Sequence, residues 1–344
     1  MGFNMAVSKK VKLAIVGATG HVGREVLKAL GESELLIAEP VLLASENSQG
    51  EMLTVQGLDV DVDTLKDDSF SGVDIALFCV PKDVAKMYIP AAQKSGTTVI
   101  DTSGYLKDNG TGFAAEFFSD EAVKTAKEKG LSLPSPLAWS LSLALQKIHE
   151  ASPLSEVIAS TYQNVTTQGM GAMEEVAAQS IGLLGGGAQD GHFHSDVFAH
   201  QAAFNVLPQV GVFEKDGQTA TEKAIAADVK TLTKAPYPIS VSCAYVPTFV
   251  GDAIDVTLRF KGATPSADDI RQLFSSPATG IMVLDNPAES DYATPYGSAD
   301  TSYVYLSRVR TDTNGIRFWL VADHLRVAVA RQMVKLAEKV VHQL

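Results

Sequence analysis

The sequence predicts an α/β protein in two parts: a doubly wound, parallel-sheet domain, then an α+β domain whose sheet is mixed and mostly antiparallel. Three observations predict it. The stretch Lys12-Leu-Ala-Ile-Val-Gly-Ala-Thr-Gly-His-Val-Gly-Arg-Glu-Val-Leu-Lys-Ala-Leu30 runs from an apolar segment through Gly17, Gly20 and Gly23 into an amphipathic helical pattern. Apolar runs and helix-length segments then alternate as far as Leu133, which is the pattern of a parallel sheet with crossover helices. From Val157 onward the strands lengthen and alternate apolar with polar residues, as half-exposed antiparallel strands do.

Each element has its own reason. The unbroken apolar run before Gly17 suits a strand covered on both faces. The glycine-spaced turn suits a chain that bends sharply into a helix whose free N–H groups face an anion. This geometry, of Rossmann type, makes Gly17, Thr19, Gly20, His21, Val22 and Gly23 candidates for holding a dinucleotide pyrophosphate, with Ser45 and Glu46 beyond the second strand on the ribose side. Val41-Leu-Leu-Ala-Ser45, Asp74-Ile-Ala-Leu-Phe-Cys-Val80 ended by Pro81, and Thr98-Val-Ile-Asp101 read as further buried strands. Short edge strands are expected between Val55 and Val62 around Gly57, and a helix over 82–96. Cys79 lies inside an apolar strand and reads as a small core residue.

A polar helix is expected over 121–129, then Leu131-Ser-Leu133 and a Pro134-Ser-Pro136 turn that opens an apolar helix over 137–149. In the second part, Val157-Ile-Ala-Ser-Thr-Tyr162, Ile239-Ser-Val-Ser-Cys-Ala-Tyr-Val246, Ala253-Ile-Asp-Val-Thr-Leu-Arg-Phe260 and Tyr303-Val-Tyr-Leu-Ser-Arg-Val-Arg310 read as strands. Helices over 171–184 and 219–231 cover one face, and a helix over 325–342 ends the chain. The expected divisions are 1–133 for the dinucleotide-type domain, 134–322 for a dimerisation or substrate domain, and 323–344 for a helix packing back on the first.

A net charge of −12, with no basic cluster beyond Lys9-Lys10-Val-Lys12, argues against a nucleic-acid partner. No apolar run is long enough for a membrane span or forms a signal-peptide core, so a cytoplasmic protein is expected. Two cysteines, Cys79 and Cys243, do not make a disulfide framework. His192-Phe-His194 with His200 has imidazole-ligand spacing, but no cysteine or acidic partner completes it, and no metal is expected.

Several segments together resemble the aspartate-semialdehyde dehydrogenase family. They are Val16-Gly-Ala-Thr-Gly-His-Val-Gly23, Leu42-Leu-Ala-Ser45, Val99-Ile-Asp-Thr-Ser103, Ser160-Thr-Tyr-Gln163, Ala203-Phe-Asn-Val-Leu-Pro208, Val246-Pro247 with Gly251, Ala293-Thr-Pro295, and Phe318-Trp-Leu-Val-Ala-Asp323 with Leu325-Arg326. The resemblance implies a homodimer built through the central domain, a dinucleotide cofactor that is usually NADP, and interconversion of an acyl phosphate and an aldehyde through a cysteine thioester. N-acetylglutamyl-phosphate reductases share the implied architecture, with motifs that fit less well.

Measured against that resemblance, the reactive positions have changed. The family cysteine falls on Pro136 in Leu133-Pro-Ser-Pro-Leu-Ala-Trp139, and no cysteine lies between Cys79 and Cys243. Ser135 is the nearest hydroxyl, with nothing beside it in sequence to deprotonate it. In Tyr245-Val-Pro-Thr-Phe-Val-Gly-Asp252 the family's substrate arginine falls on Tyr245 and its histidine base on Asp252, while all seven histidines lie elsewhere in the sequence. The second family arginine falls on Leu106 beside Lys107, and a lysine expected near Glu222 falls on Lys223 or Ala224. Gln163 is retained. Cys243 alternates with Val241 and Tyr245 on one strand face and reads as core.

The cofactor loop has changed as well. The family reads the NADP 2′-phosphate with an arginine and a lysine where this chain has Asn47 and Glu51, in Ala44-Ser-Glu-Asn-Ser-Gln-Gly-Glu51. Glu46 and Glu51 are therefore expected to face that phosphate and repel it. Val80-Pro81 replaces two glycines and removes a backbone donor near the nicotinamide. The expectation is a family scaffold without its catalytic set, with a binding or regulatory role, a small-molecule ligand, and weak or absent binding of NADP or NAD. The alternatives are an active NAD(P)-dependent semialdehyde dehydrogenase, or a different enzyme using Asp252 as acid or base with Ser135 or Tyr245 assisting.

Overall fold

The computed structural model describes residues 9–111, 123–186 and 196–342. These divide into two compact units, one running to Pro136 and resuming at Ala328, the other Leu137–Val327.

The first unit is a seven-stranded sheet in the order β3-β4-β2-β1-β5-β6-β7. Its strands are β1 (Val11–Val16), β2 (Ile37–Ala44), β3 (Met52–Val55), β4 (Leu58–Thr64), β5 (Ile75–Phe78), β6 (Thr98–Asp101) and β7 (Leu131–Ser132). All neighbours are parallel except β3 and β4, which form a hairpin through Gln56 and Gly57, both at positive φ. The expected edge strands thus resolve unequally. Only β3 is an edge; β4 is interior, paired in parallel with β2.

Helix α1 (His21–Gly31) and the C-terminal helix Arg331–Val341 bury their apolar faces with Leu13, Ile15, Leu42 and Leu77 on one side of this sheet. Helix α2 (Lys82–Lys94) covers the other side with Phe70, Phe78 and Val99. The chain's final helical stretch is not uniform: Leu325–Ala330 is one π-helical segment, and the α-helix begins only at Arg331. Wide π turns of this kind are insertions that periodicity does not record. In the region expected as a polar helix over 121–129, the described residues include a short α-helix, Ala126–Lys129.

The second unit is a six-stranded sheet in the order β11-β14-β15-β10-β8-β9. It uses β8 (Leu154–Asn164), β9 (Ile239–Val246), β10 (Asp252–Phe260), β11 (Ile281–Val283), β14 (Val304–Asp312) and β15 (Gly315–Ala322); a small hairpin joins β12 (Asp285–Asn286) to β13 (Asp291–Tyr292). Three of its five pairings are antiparallel, and the outer pairs β8–β9 and β11–β14 are parallel. Helices α3 (Pro136–Ala151), α4 (Met170–Leu184) and α5 (Ala220–Thr233) accompany it. The start of α5 is fixed by a capping box, in which Thr219 and Glu222 satisfy each other's backbone N–H groups.

The turn between β1 and α1 sets the tightest packing of the first unit. A Cβ built on Gly23 would stand 2.1 Å from the Gly17 carbonyl oxygen and 2.8 Å from the Ala18 Cα, both backbone atoms that cannot swing aside. Gly23→Ala is therefore expected to lower stability by about 1–3 kcal/mol, despite alanine's better helix propensity. Gly31→Ala on the same helix, where a Cβ meets nothing within 4 Å, is the control and should be neutral or slightly stabilising. Urea midpoints of the two variants check this, and a Gly23→Ala midpoint equal to the control's would contradict it.

Candidate functional site

In the first unit the three glycines do three different jobs. Gly17 sits at φ +85°, and a Cβ there would meet the Cys79 carbonyl oxygen at 2.6 Å, so it makes the turn. Its N–H and that of Ala18 both donate to the Leu43 carbonyl, at 2.7 and 3.1 Å, which ties the turn to the end of β2. Gly23 lets α1 lie against the turn. Around Gly20 a Cβ would meet only the Gly17 carbonyl oxygen, at 3.3 Å, so that side of the backbone is open. No side chain caps α1, and no acidic residue stands in its first turn. A tight turn, an open backbone approach and close helix packing, in that order, are what a pyrophosphate-binding turn requires, and the residues present fit that group.

Ser45, Glu46 and Asn47 follow β2 on the exposed rim, where Ser45 precedes the short 3-10 turn Glu46–Ser48. Thr19 Oγ1 lies 3.1 Å from Ser48 Oγ and joins the glycine turn to this rim. Arg24 donates from Nε to the Thr19 carbonyl at 2.9 Å, and its Nη2 pairs with the Glu51 carboxylate. This corrects the expectation for Glu51. Its charge is matched by Arg24, and among the described residues Glu46 is the rim carboxylate without an ion-pair partner.

The second unit gathers a polar cluster where β8 and β9 end and β10 begins. Register puts Gln163 beside Tyr245 and Thr161 beside Cys243, while Ala253 opposes Tyr162, so Gln163, Tyr245, Cys243 and Asp252 share one sheet face. Gln163 Nε2 donates to Thr161 Oγ1 at 3.0 Å. Tyr245 is buried, its ring edge against Phe198, and its hydroxyl accepts from Gln168 Nε2. Burial holds that phenol above its ordinary pKa. Glu222 is fully engaged: Oε2 accepts from its own helix cap at 2.7 Å, and Oε1 accepts the Cys243 N–H at 3.1 Å. Lys223 beside it pairs with Glu214 and Asp216.

Asp252 is 3% exposed and heavily bonded. Its Oδ1 accepts the Asn164 backbone N–H at 2.7 Å and the Asn164 side-chain amide at 2.9 Å. Its Oδ2 lies 3.2 Å from His324 Nδ1, close enough to pair with an imidazolium, although the contact is not aligned as a hydrogen bond. His324 is itself 3% exposed, and among the described residues its Nε2 has no partner. Sequence reasoning put every histidine away from this position; the fold brings one to it. What brings it there is the pairing of Asp252 with Ala322 at the end of β15, two residues before His324.

Other expected positions resolve plainly. Pro136 is the first residue of α3, and Leu106 is buried, its N–H held at 3.0 Å by the buried carboxylate of Asp101. Cys79 is buried with its sulfur 3.7 Å from Met333 Sδ, and burial pushes its thiol far up. Cys243 is also buried, which pushes its thiol up to about 11. His192 and His194 lie outside the described residues, and His200 is exposed.

Known proteins match this architecture along its length. A family profile described as "Semialdehyde dehydrogenase, NAD binding domain" matches residues 12–125, and one described as "Semialdehyde dehydrogenase, dimerisation domain" matches 145–327. The aspartate-semialdehyde dehydrogenase of Aquifex aeolicus is 33% identical over 339 residues, covering 96% of this chain and 98% of the relative. That of Rickettsia conorii is 30% identical over 341 residues, covering 98% and 99%. The crystal structure of aspartate semialdehyde dehydrogenase II from Vibrio cholerae, complexed with ASA, superposes with a TM-score of 0.89 at 28% identity, covering 97% of this chain and 99% of that one. With both units matched in order and relatives aligned over nearly their whole length, this chain belongs to the aspartate-semialdehyde dehydrogenase family.

Proposed function

We propose that this chain is a homodimeric, dinucleotide-binding member of the family that does not run the covalent, phosphate-dependent reaction and acts as a cytoplasmic binding or regulatory protein for a small aldehyde or acyl metabolite. The observation that carries the reading is the state of its thiols. A thioester route needs a thiolate that substrate can reach. The two cysteines are both buried, with both thiols held well above the ordinary value. With Pro134 matched to the family proline, as the sequence resemblance suggests, Pro136 takes the nucleophile position and has no group to offer. Tyr245, at the substrate-arginine position, contributes a neutral hydroxyl where an anionic substrate would want a cation.

Homodimer formation is supported by the dimerisation profile over the second unit and by apolar side chains left open there, among them Ile181, Leu184, Phe204 and Val212. The cofactor reading is supported by the glycine turn and by the profile over 12–125. With Asn47 in place of an arginine and Glu46 on the rim, NADP binding is weak or absent, and NAD is favoured because a carboxylate there can accept from free ribose hydroxyls.

One observation favours a second reading. The Asp252–His324 pair sets an imidazole beside a carboxylate, with Nε2 unpartnered among the described residues, which is the makeup of an acid–base pair that needs no thiol.

The purified protein is expected to show no phosphate-dependent oxidation of aspartate semialdehyde above background, and Pro136→Cys alone should not restore it, since such groups act as a unit. Turnover by the unaltered protein of roughly 1–1,000 per second would overturn the reading. A thiol near pKa 11 is only about one part in a thousand thiolate at pH 8. A disulfide reagent should therefore find no fast-reacting cysteine in the native protein and both cysteines in denaturant. Turnover that survives thiol blocking and falls in His324→Gln belongs to the second reading. Calorimetry with NAD and NADP on one preparation checks the cofactor reading, and tighter binding of NADP would contradict it.

A further inference from the structure

We propose that Arg24 is a cation suited to a ribose 2′-phosphate that Glu51 holds in an internal ion pair, so that Glu51 sets the preference against a 2′-phosphorylated dinucleotide. The inference rests on the reading that the Gly17–Gly23 turn holds a dinucleotide. Arg24 follows Gly23 directly in the first turn of α1, and one edge of its guanidinium is spent on the Thr19 carbonyl at 2.9 Å. Its Nη2 meets Glu51. The two side chains are 49% and 38% exposed, so the pair lies within reach of solute.

Glu51 cannot easily retire from that contact. Its N–H donates to the Ser48 carbonyl at 3.1 Å, its carbonyl accepts from Val62 N at 2.8 Å, and the preceding Gly50 N–H donates to Val62 O at 2.9 Å. The carboxylate is therefore carried on backbone pinned to β4. The rest of the rim, Ala44 to Gly50, contains no lysine or arginine, so Arg24 is the cation on which phosphate recognition there would depend.

The sign of the effect follows from charge. With Glu51 ionised, Arg24 and the two carboxylates Glu46 and Glu51 leave the rim net negative, and a near-dianionic phosphate must compete with Glu51 for the guanidinium. With Glu51 neutral, the rim is balanced and the Nη edge is free to donate to phosphate oxygens in the paired geometry that guanidinium favours. Free ribose hydroxyls carry no charge, so NAD should be nearly indifferent to the same change.

The test is calorimetry on the full-length protein, wild type, Glu51→Gln, Arg24→Gln and the double variant, with NAD and NADP at low and high salt. An exposed ion pair adds little to stability, so the variants should fold, and a urea midpoint confirms it for each. Glu51→Gln is expected to tighten NADP about fivefold or more while NAD stays within about twofold. The gain should shrink at high salt and vanish in the double variant. An unchanged NADP-to-NAD ratio in Glu51→Gln, or a gain that persists without Arg24, overturns the inference and leaves the dinucleotide reading standing if the wild type binds NAD. Failure of both the wild type and Glu51→Gln to bind either dinucleotide overturns both.

Discussion

The approach of Gly23 to the carbonyl of Gly17, close enough that a Cβ would intrude to 2.1 Å, fixes how α1 leaves β1, and much of the first unit follows from it. Because glycine lets the helix lie this close, its uncapped N–H groups emerge at the C-terminal edge of the sheet, where an anion can meet them. The same contact places the next residue, Arg24, where its guanidinium reaches back to Thr19. It also sets the helix at a depth where Val26, Leu27 and Leu30 share one core with Met333, Leu336 and Val340 of the C-terminal helix. One steric constraint thus serves packing, anion geometry and the charge pattern of the rim.

In the second unit the comparable constraint is a buried carboxylate. Asp252 lies at the first residue of β10, and its Oδ1 takes two donors from Asn164 at the last residue of β8. Gly251 before it sits at φ +68°, where a Cβ would meet the Pro295 carbonyl oxygen at 2.4 Å, so the entry to β10 is fixed by close backbone contact as well as by hydrogen bonds. This gives Gly251 and Pro295 a shared structural role, and it gives Asp252 one independent of any chemistry. The carboxylate is already saturated on one oxygen. The other oxygen faces the imidazole of His324 at 3.2 Å.

The fold was legible where hydrophobic pattern and glycine punctuation coincide. β5 is wholly apolar, β1 is apolar apart from Lys12, and β6 carries Val99 and Ile100 between Thr98 and Asp101, while β8 and β10 alternate as half-exposed strands should. β15 carries no clean alternation, because Phe318, Leu320, Val321 and Ala322 are all buried, and its pairing with β10 is what carries His324 to Asp252. A contact between residues 72 positions apart in sequence, made across such a strand, is not visible in composition or spacing. The Glu51 pair was hidden for a related reason. A charged residue on a polar loop reads the same whether it faces solvent, a phosphate or an arginine on a helix 27 residues earlier, and only the turn geometry of Gly17–Gly23 decides.

The start of α3 shows why loss of the nucleophile, under the proposed reading, need not weaken the scaffold. A reactive cysteine at the beginning of a helix draws its acidity from the free N–H groups and the positive end of the helix dipole. Proline at the first helical position uses that place in the opposite way. It has no N–H to leave unsatisfied, and its fixed φ already suits the helix, so it stabilises the start that a thiolate would exploit. Directly behind it, Leu137, Ala138 and Trp139 are buried, which binds the first turn to the core. A substitution that removes the reactive group while tightening the helix carries no folding penalty. Under the proposed reading, the fold and the dinucleotide-type turn can therefore persist without the covalent chemistry, and selection can then act on what the scaffold binds.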